Sequence, residues 1–422
     1  MEEIQENPKT YDTAVVGAGA AGLMAAISAC SQGLSVLLLD GREKIGAKIL
    51  MSGGTRCNVT NEKVSERDFQ SMQIRQVRNV LRAFPAPKAV EFFRKLGVEL
   101  VLEPGGKYFP ATHSGRTVLE ALTREAARAG VRLVTGFKVE NIQRTDSLFG
   151  LRAVSGEMYQ AKTVILCTGG LSFPTTGSDG SGYSLAQAFG HSMIPTSPSL
   201  TPLLTADENW KSLSGVTLPV RLSLYSGKEK NAEYEGSFLF THTGYSGPVV
   251  LNISRHWIRL NDPSAVLTAN FLPHVTEDAL RSVLADALKE NPKMLVKNFL
   301  ALELPEKLAA MLAKKAGLPE DRIMNQVSRE EREALVRGIL RASLSVSGSA
   351  GYAKAEVTAG GVDLSEVNEA VMESRIQPGL FFAGEILDVD GRIGGFNFQW
   401  AWSSGVTAAA GAAKRVKSTL AQ

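Results

Sequence analysis

"YDTAVVGAGAAGLMAAISACSQGLSVLLLDGRE" (residues 11–43) decides the fold. An apolar run, a glycine turn, a helix of small residues and a second apolar run follow one another, the pattern of a strand–helix–strand unit in a buried parallel sheet. Gly17, Gly19 and Gly22 stand at G-x-G-x-x-G spacing, with Ala18, Ala20 and Ala21 between them. The first glycine permits a tight turn, the second lets backbone approach a pyrophosphate, and the third lets helix and strand pack closely. Asp40 follows Gly22 by 18 residues at the end of the second apolar run, where a carboxylate can accept hydrogen bonds from an adenosine ribose. Gly41 and Arg42 continue that turn. The unit predicts a dinucleotide site on the positive end of the helix, and NAD or FAD would suit it.

The next segment separates the two. "VRLVTG" (131–136) reads as a strand, "FKVENIQRT", "FGLRAVS" and "EMYQA" as a three-stranded meander, and "KTVILCTGG" (162–170) as a returning strand that turns at Thr168, Gly169 and Gly170. FAD-binding chains of the glutathione-reductase type interrupt their sheet in this way, and the backbone near Lys138 and Val139 would then lie beside the adenine. Far along the chain, "GLFFAGEILDVDGRIGGFNFQWAWSSGVTAAAGAAKRV" (379–416) resembles a second FAD fingerprint. In the common form of that motif the strand ends in Gly-Asp. Here Glu385 follows Gly384 and Asp388 comes close behind, so either acid is a candidate for the ribityl chain. Gly394, Gly395, Phe396 and Asn397 then open a helix whose free N–H groups can face the flavin.

Two separated fingerprints predict a discontinuous cofactor domain of the α/β, Rossmann-like class, over residues 1–195 and 356–422. The interval holds β-like runs ("VRLSLYSG", "AEYEGSFLFTHTGYSG", "AVLTANFLP"), which predict a small barrel or sandwich as a β-rich middle domain over 196–275 and 343–355. Residues 276–342 carry apolar residues at helical period and read as a helical insert whose Met and Leu stripes are core.

Composition is consistent with this. A chain of 422 residues has room for two or three domains, and its 40 glycines, above an average share, predict many tight loops. Net charge is +3, too mild to demand a nucleic-acid partner and no barrier to one. Three scattered cysteines (Cys30, Cys57, Cys167) give neither a disulfide framework nor metal spacing. The polar, acidic start and the lack of a long apolar run predict a soluble, cytoplasmic protein without metal or membrane.

Several motifs in order resemble one family, the flavoproteins called HI0933-like, YhiN-like or BaiN/RdsA-like. They are "GAGAAGL", "GAKILMSGGTRCNVTN", "GGLSFPTTGSDGSGYSLAQAFGH", "PSLTPL", "LFTHTGYSGP", "AEVTAGGVDLSEV", "MESR", "GLFFAGEILDVDG" and "GGFNFQWAWSSG". The family's loop reads closer to S-G-G-G-R-C-N, so Thr55 stands where a glycine is usual. The resemblance spans nearly the whole chain and implies FAD, a β middle domain and a helical insert. It also implies flavin hydride chemistry: reduction of activated C=C bonds, including the uracil ring of large-subunit ribosomal RNA (giving dihydrouridine) and steroid-like enones, or oxidation of small amines such as aminoacetone. Reduction driven by NADH or NADPH is the preferred reading. The rivals are an oxygen-using amine oxidase and a non-catalytic flavin-binding scaffold. No second G-x-G-x-x-G opens a helix, so a nicotinamide would visit the flavin transiently.

Within "MSGGTRCNVTN" (51–61), Gly53 and Gly54 allow close approach, and Arg56 and Asn58 can hydrogen-bond flavin oxygens or phosphates. Cys57 either packs beneath the flavin or donates a proton beside it, although a neighbouring Arg56 would favour thiolate. Lys48 is a candidate for the pyrophosphate. In "FTHTGYSGP" (240–248), His242 and Tyr245 could position a substrate. Ser172, Thr175, Thr176 and Asp179 form a polar loop that could cover the flavin edge. Arg75, Arg78 and Arg82 share a helical face that could meet ribosomal RNA, although such a face is more often simply solvated.

Overall fold

The computed structural model describes residues 10–145 and 147–420. The chain divides into two compact units, residues 1–198 with 356–422, and residues 199–355.

The first unit is built on a sheet whose centre is parallel. β1 (Thr10–Val16) lies between β2 (Val36–Leu39) and β6 (Met158–Leu166). β3 (Arg132–Val134) extends the sheet beyond β2, and β7 (Leu380–Phe382) extends it beyond β6. All four residues of β2 are buried, as expected where both faces of a parallel sheet are covered. The meander departs from its predicted form. β4 (Val139–Thr145) and β5 (Leu148–Ala153) are antiparallel as read, but "MYQA" and "KTVIL" fall on the single nine-residue strand β6. Met158–Ala161 pair with β5 and Gln160–Leu166 with β1, so one strand ends the meander and also returns to the sheet.

The fingerprint helix, Ala20–Ser31, packs against the final helix, Phe396–Leu420. Small residues set how close they come. A Cβ at Gly405 would stand 2.8 Å from the Ala21 carbonyl oxygen and 3.3 Å from the Ala25 nitrogen, so backbone itself is the contact surface.

The second unit is one antiparallel sheet of seven strands rather than the expected barrel or sandwich. Its long hairpin, Thr217–Ser226 with Glu229–Thr241, carries Leu222, Phe238 and Phe240 into a core shared with Trp210 and Phe271. The helices Glu277–Glu290, Glu306–Lys315 and Arg329–Leu340 bury Leu284, Leu308, Leu312 and Ile339 in that same core, together with Met311 and Met324. The sheet and the helices of 276–342 therefore share their apolar surface.

Two mid-helix glycines separate packing from propensity. Gly405→Ala forces a Cβ onto rigid backbone, and the overpacking should cost about 1–3 kcal/mol. Gly338→Ala meets only Leu312 at 3.9 Å and should gain about 0.5–1 kcal/mol from helix propensity. Thermal unfolding of the two variants should therefore shift in opposite directions, and a stabilised Gly405→Ala would refute the close helix contact.

Candidate functional site

At the first fingerprint each glycine has a distinct surrounding. Gly17 takes φ +101°, and a Cβ there would lie 2.5 Å from the Cys167 carbonyl oxygen. A Cβ on Gly22 would lie 1.8 Å from the Gly17 carbonyl oxygen. Gly19 caps the helix Ala20–Ser31 without a side-chain hydrogen bond, and a Cβ on it would meet nothing within 4 Å. Open space in front of a helix N-terminus is what an anionic pyrophosphate requires. Asp40 is held here by accepting from the Ala18 N–H (2.7 Å) and from the Arg42 N–H (2.9 Å), so it also shapes the loop it was expected to serve.

The returning strand brings further predicted residues to this end of the sheet. Gly169 lies against Ser178 and Gly170 against Thr358 and Glu385. The Thr168 hydroxyl is buried without a partner. Gly41 lies against Lys138, whose ammonium pairs with Asp179 at 2.7 Å. Burial works to raise the Asp179 carboxyl, but Lys138 and Ser181 outweigh it and hold it down at about 2. The Arg42 guanidinium donates to the Thr175 carbonyl, and Val139 is buried at the start of β4.

Several candidate residues have protein partners or are buried. Arg56 was read as a flavin ligand, but its guanidinium pairs with Glu103 at 2.9 Å and lies 4.0 Å over the Phe109 ring. Glu385 was a candidate for the ribityl chain. Its carboxylate accepts from Lys48 Nζ (2.5 Å), the Ser172 hydroxyl (2.6 Å) and the Thr358 N–H (3.0 Å). Asp388 is buried, its N–H donating to the Val362 carbonyl. Cys57 is fully buried in the core, where burial pushes the thiol up to about 12. Burial of this kind suits the packing alternative for Cys57. In the second unit, Tyr245 is a core residue: burial raises its phenol to about 12, and its hydroxyl donates to the Ser345 carbonyl at 3.2 Å. His242 is exposed in the adjoining turn.

The loop itself is a run of left-handed backbone: Gly53 (φ +56°), Gly54 (+67°), Thr55 (+70°) and Cys57 (+61°). Thr55 accepts a conformation that favours glycine, which explains why a glycine is usual at that position. Beyond it, residues 58–61 are fastened to the second fingerprint. The Trp402 indole donates to the Val59 carbonyl (2.9 Å), the Thr60 hydroxyl to Gln399 Oε1 (2.6 Å) and the Asn61 amide to the Gly394 carbonyl (3.0 Å). Thr60, Asn61, Gln399 and Trp402 were not foreseen as a set, because their partners lie more than 300 residues apart (339 for Thr60 and Gln399). Asn397 braces the same turn by exchanging hydrogen bonds with the Gly391 backbone at 2.7 and 2.9 Å. Phe396 is buried edge-on against Phe69.

Asn58 differs from its neighbours. It is 8% exposed, its Oδ1 has no hydrogen-bond partner, and that oxygen would stand 2.8 Å from a Cβ on Gly395. An unpartnered acceptor beside one helix start and open space before another fit a long dinucleotide such as FAD lying across this end of the sheet.

Of the predicted basic face, Arg75 and Arg82 are exposed, while Arg78 is tied to Glu66 at 2.8 Å. Among the described residues no group of three His, Cys, Asp or Glu could hold a metal ion, and no helix is long and apolar enough to cross a membrane.

Comparison with known proteins agrees with this geometry. The family model described as the HI0933-like protein Rossmann domain matches residues 11–411. A 3-dehydro-bile acid delta(4,6)-reductase of Clostridium scindens is 34% identical over 95% of this chain and 98% of its own length. A ribosomal RNA dihydrouridine synthase of Escherichia coli K12 is also 34% identical, over 93% of this chain and 96% of its own length. At 17% identity the chain shares its fold with a quinol–fumarate reductase, with a TM-score of 0.52 over 98% of this chain and 72% of that one. The chain therefore belongs to the HI0933-like family and is an FAD-dependent oxidoreductase.

Proposed function

We propose that this enzyme reduces an activated carbon–carbon double bond with electrons from NADH or NADPH, the substrate being a uridine of ribosomal RNA or a small enone. One observation carries the reading: two relatives that match nearly end to end are named for the same kind of chemistry on unlike substrates. A bile acid delta(4,6)-reductase and a dihydrouridine synthase each saturate a carbon–carbon double bond conjugated to a carbonyl. When bound and reduced, the flavin supplies the hydride for such a step. The protein must hold the acceptor and deliver a proton to the neighbouring carbon. Cys57, the residue first considered for that proton, is enclosed in the core. Exposed Arg75 and Arg82 support an RNA substrate by offering cations to phosphate.

The deciding experiment is anaerobic. NADH or NADPH should bleach the bound flavin, and an enone or uridine-containing ribosomal RNA should restore it. Bleaching by a small amine, with none by either nicotinamide, would replace this reading with an oxidase. Cys57→Ser should keep its flavin and its turnover while losing about 1–3 kcal/mol of stability, because it puts a more polar group at a fully buried position. A large fall in kcat with the flavin retained would return Cys57 to the chemistry.

A further inference from the structure

We infer that the Asn58 carboxamide reads the pyrimidine edge of the flavin ring, accepting a hydrogen bond from its N3–H. The inference rests on FAD being the cofactor and assigns a task to one side chain of the loop.

Asn58 stands out by contrast with its neighbours. Val59, Thr60 and Asn61 have their polar groups engaged by Trp402, Gln399 and the carbonyls of Gly394 and Gly105. The packing here is close and well matched, yet Oδ1 of Asn58 is enclosed without a donor. Buried acceptors in native proteins are almost always satisfied, so one left open in an otherwise satisfied cluster marks a place kept for a ligand.

The position limits what that ligand atom can be. Asn58 Oδ1 lies beside Gly395, at the start of the 25-residue final helix. The first rung of this helix runs from the Gln399 N–H to the Gly395 carbonyl (3.0 Å), so the N–H groups of Phe396, Asn397 and Phe398 come before the ladder. The site thus offers donors from the helix start and one acceptor from Asn58. A flavin ring presents C2=O, N3–H and C4=O in a row, as acceptor, donor and acceptor. Carbonyls suit the helix N–H groups, and N3–H is the single donor on that edge for the amide oxygen. Asn58 was first read as a donor to flavin oxygens or phosphates. Its open acceptor reverses that polarity.

The test exchanges FAD in the purified protein for N3-methyl-FAD and compares dissociation constants by flavin absorbance and fluorescence. Wild-type protein should bind the methylated cofactor at least about tenfold more weakly, since the methyl group removes the donor and leaves the buried oxygen unpaired. Asn58→Ala should bind FAD about tenfold more weakly than wild type and should distinguish the two cofactors by no more than about twofold. Asn58→Asp keeps the acceptor in the same shape and should keep the preference for FAD, which guards against misfolding of the alanine variant. Its added negative charge should also lower the flavin reduction potential, a change that a merely structural residue would not produce. If Asn58→Ala retains the full preference, another group reads N3 and the inference fails. If the wild type takes both cofactors equally, as expected were the oxygen held by a ribityl hydroxyl, the inference fails while the cofactor assignment stands. Uptake of neither would overturn the flavoprotein reading and the inference with it.

Discussion

The site depends on a buried polar clamp between the loop at residues 58–61 and the first turns of the final helix. Thr60 and Gln399 meet at 2.6 Å with both side chains out of water, and Gln399 is further fixed by donating to the Phe84 carbonyl at 2.8 Å. A hydrogen bond of this kind adds modestly to net stability, but losing one partner strands the other in a place that water does not reach. The penalty for any alternative register is therefore larger than the gain from the correct one. Such a clamp sets position more than it adds strength. The N-terminus of the final helix consequently faces a defined loop.

A second cluster works in the same way at the other side of the second fingerprint. Lys48, Ser172, Thr358 and Glu385 come from four separate segments, and Glu385 accepts from the other three. Its carboxylate is largely enclosed, with 17% of the side chain accessible, and the three donors satisfy it there. Glu385 occupies the motif position where a short aspartate usually follows the glycine. The longer side chain reaches the network, which gives a physical reason for the departure from the common motif. The cradle is thus made of glycine backbone and helix ends, while most of the charged side chains around it neutralise one another.

Much of the fold was legible because it follows from local rules. Apolar runs bounded by glycine turns located β1, β2 and their helix, and glycine spacing predicted the turn geometry that Gly17, Gly19 and Gly22 adopt. Side-chain roles were less legible, because a residue type has several uses. Arg56, Glu385 and Tyr245 each have side chains suited to a ligand, and each has a protein partner: Glu103, Lys48 with Ser172, and the Ser345 carbonyl. Cys57 left two readings open, packing or proton donation, for a different reason. Its left-handed backbone turns the thiol into the core, and no one-dimensional pattern reports which way a loop side chain points.

The sequence by itself determined the class of the protein: two nucleotide fingerprints, the discontinuous domain they imply, and the motif order that identifies the family. Periodicity and glycine spacing express backbone constraints acting over a few residues, and these survive in any context. Tertiary structure alone decided which polar groups are already satisfied. Asn58 and Arg56 are two residues apart and equally polar, yet Glu103 and Phe109 engage one, while the amide oxygen of the other is left unpaired beside Gly395. That difference depends on partners brought in from elsewhere in the chain. Folding must complete before a side chain's hydrogen-bonding capacity is either spent or left for a ligand.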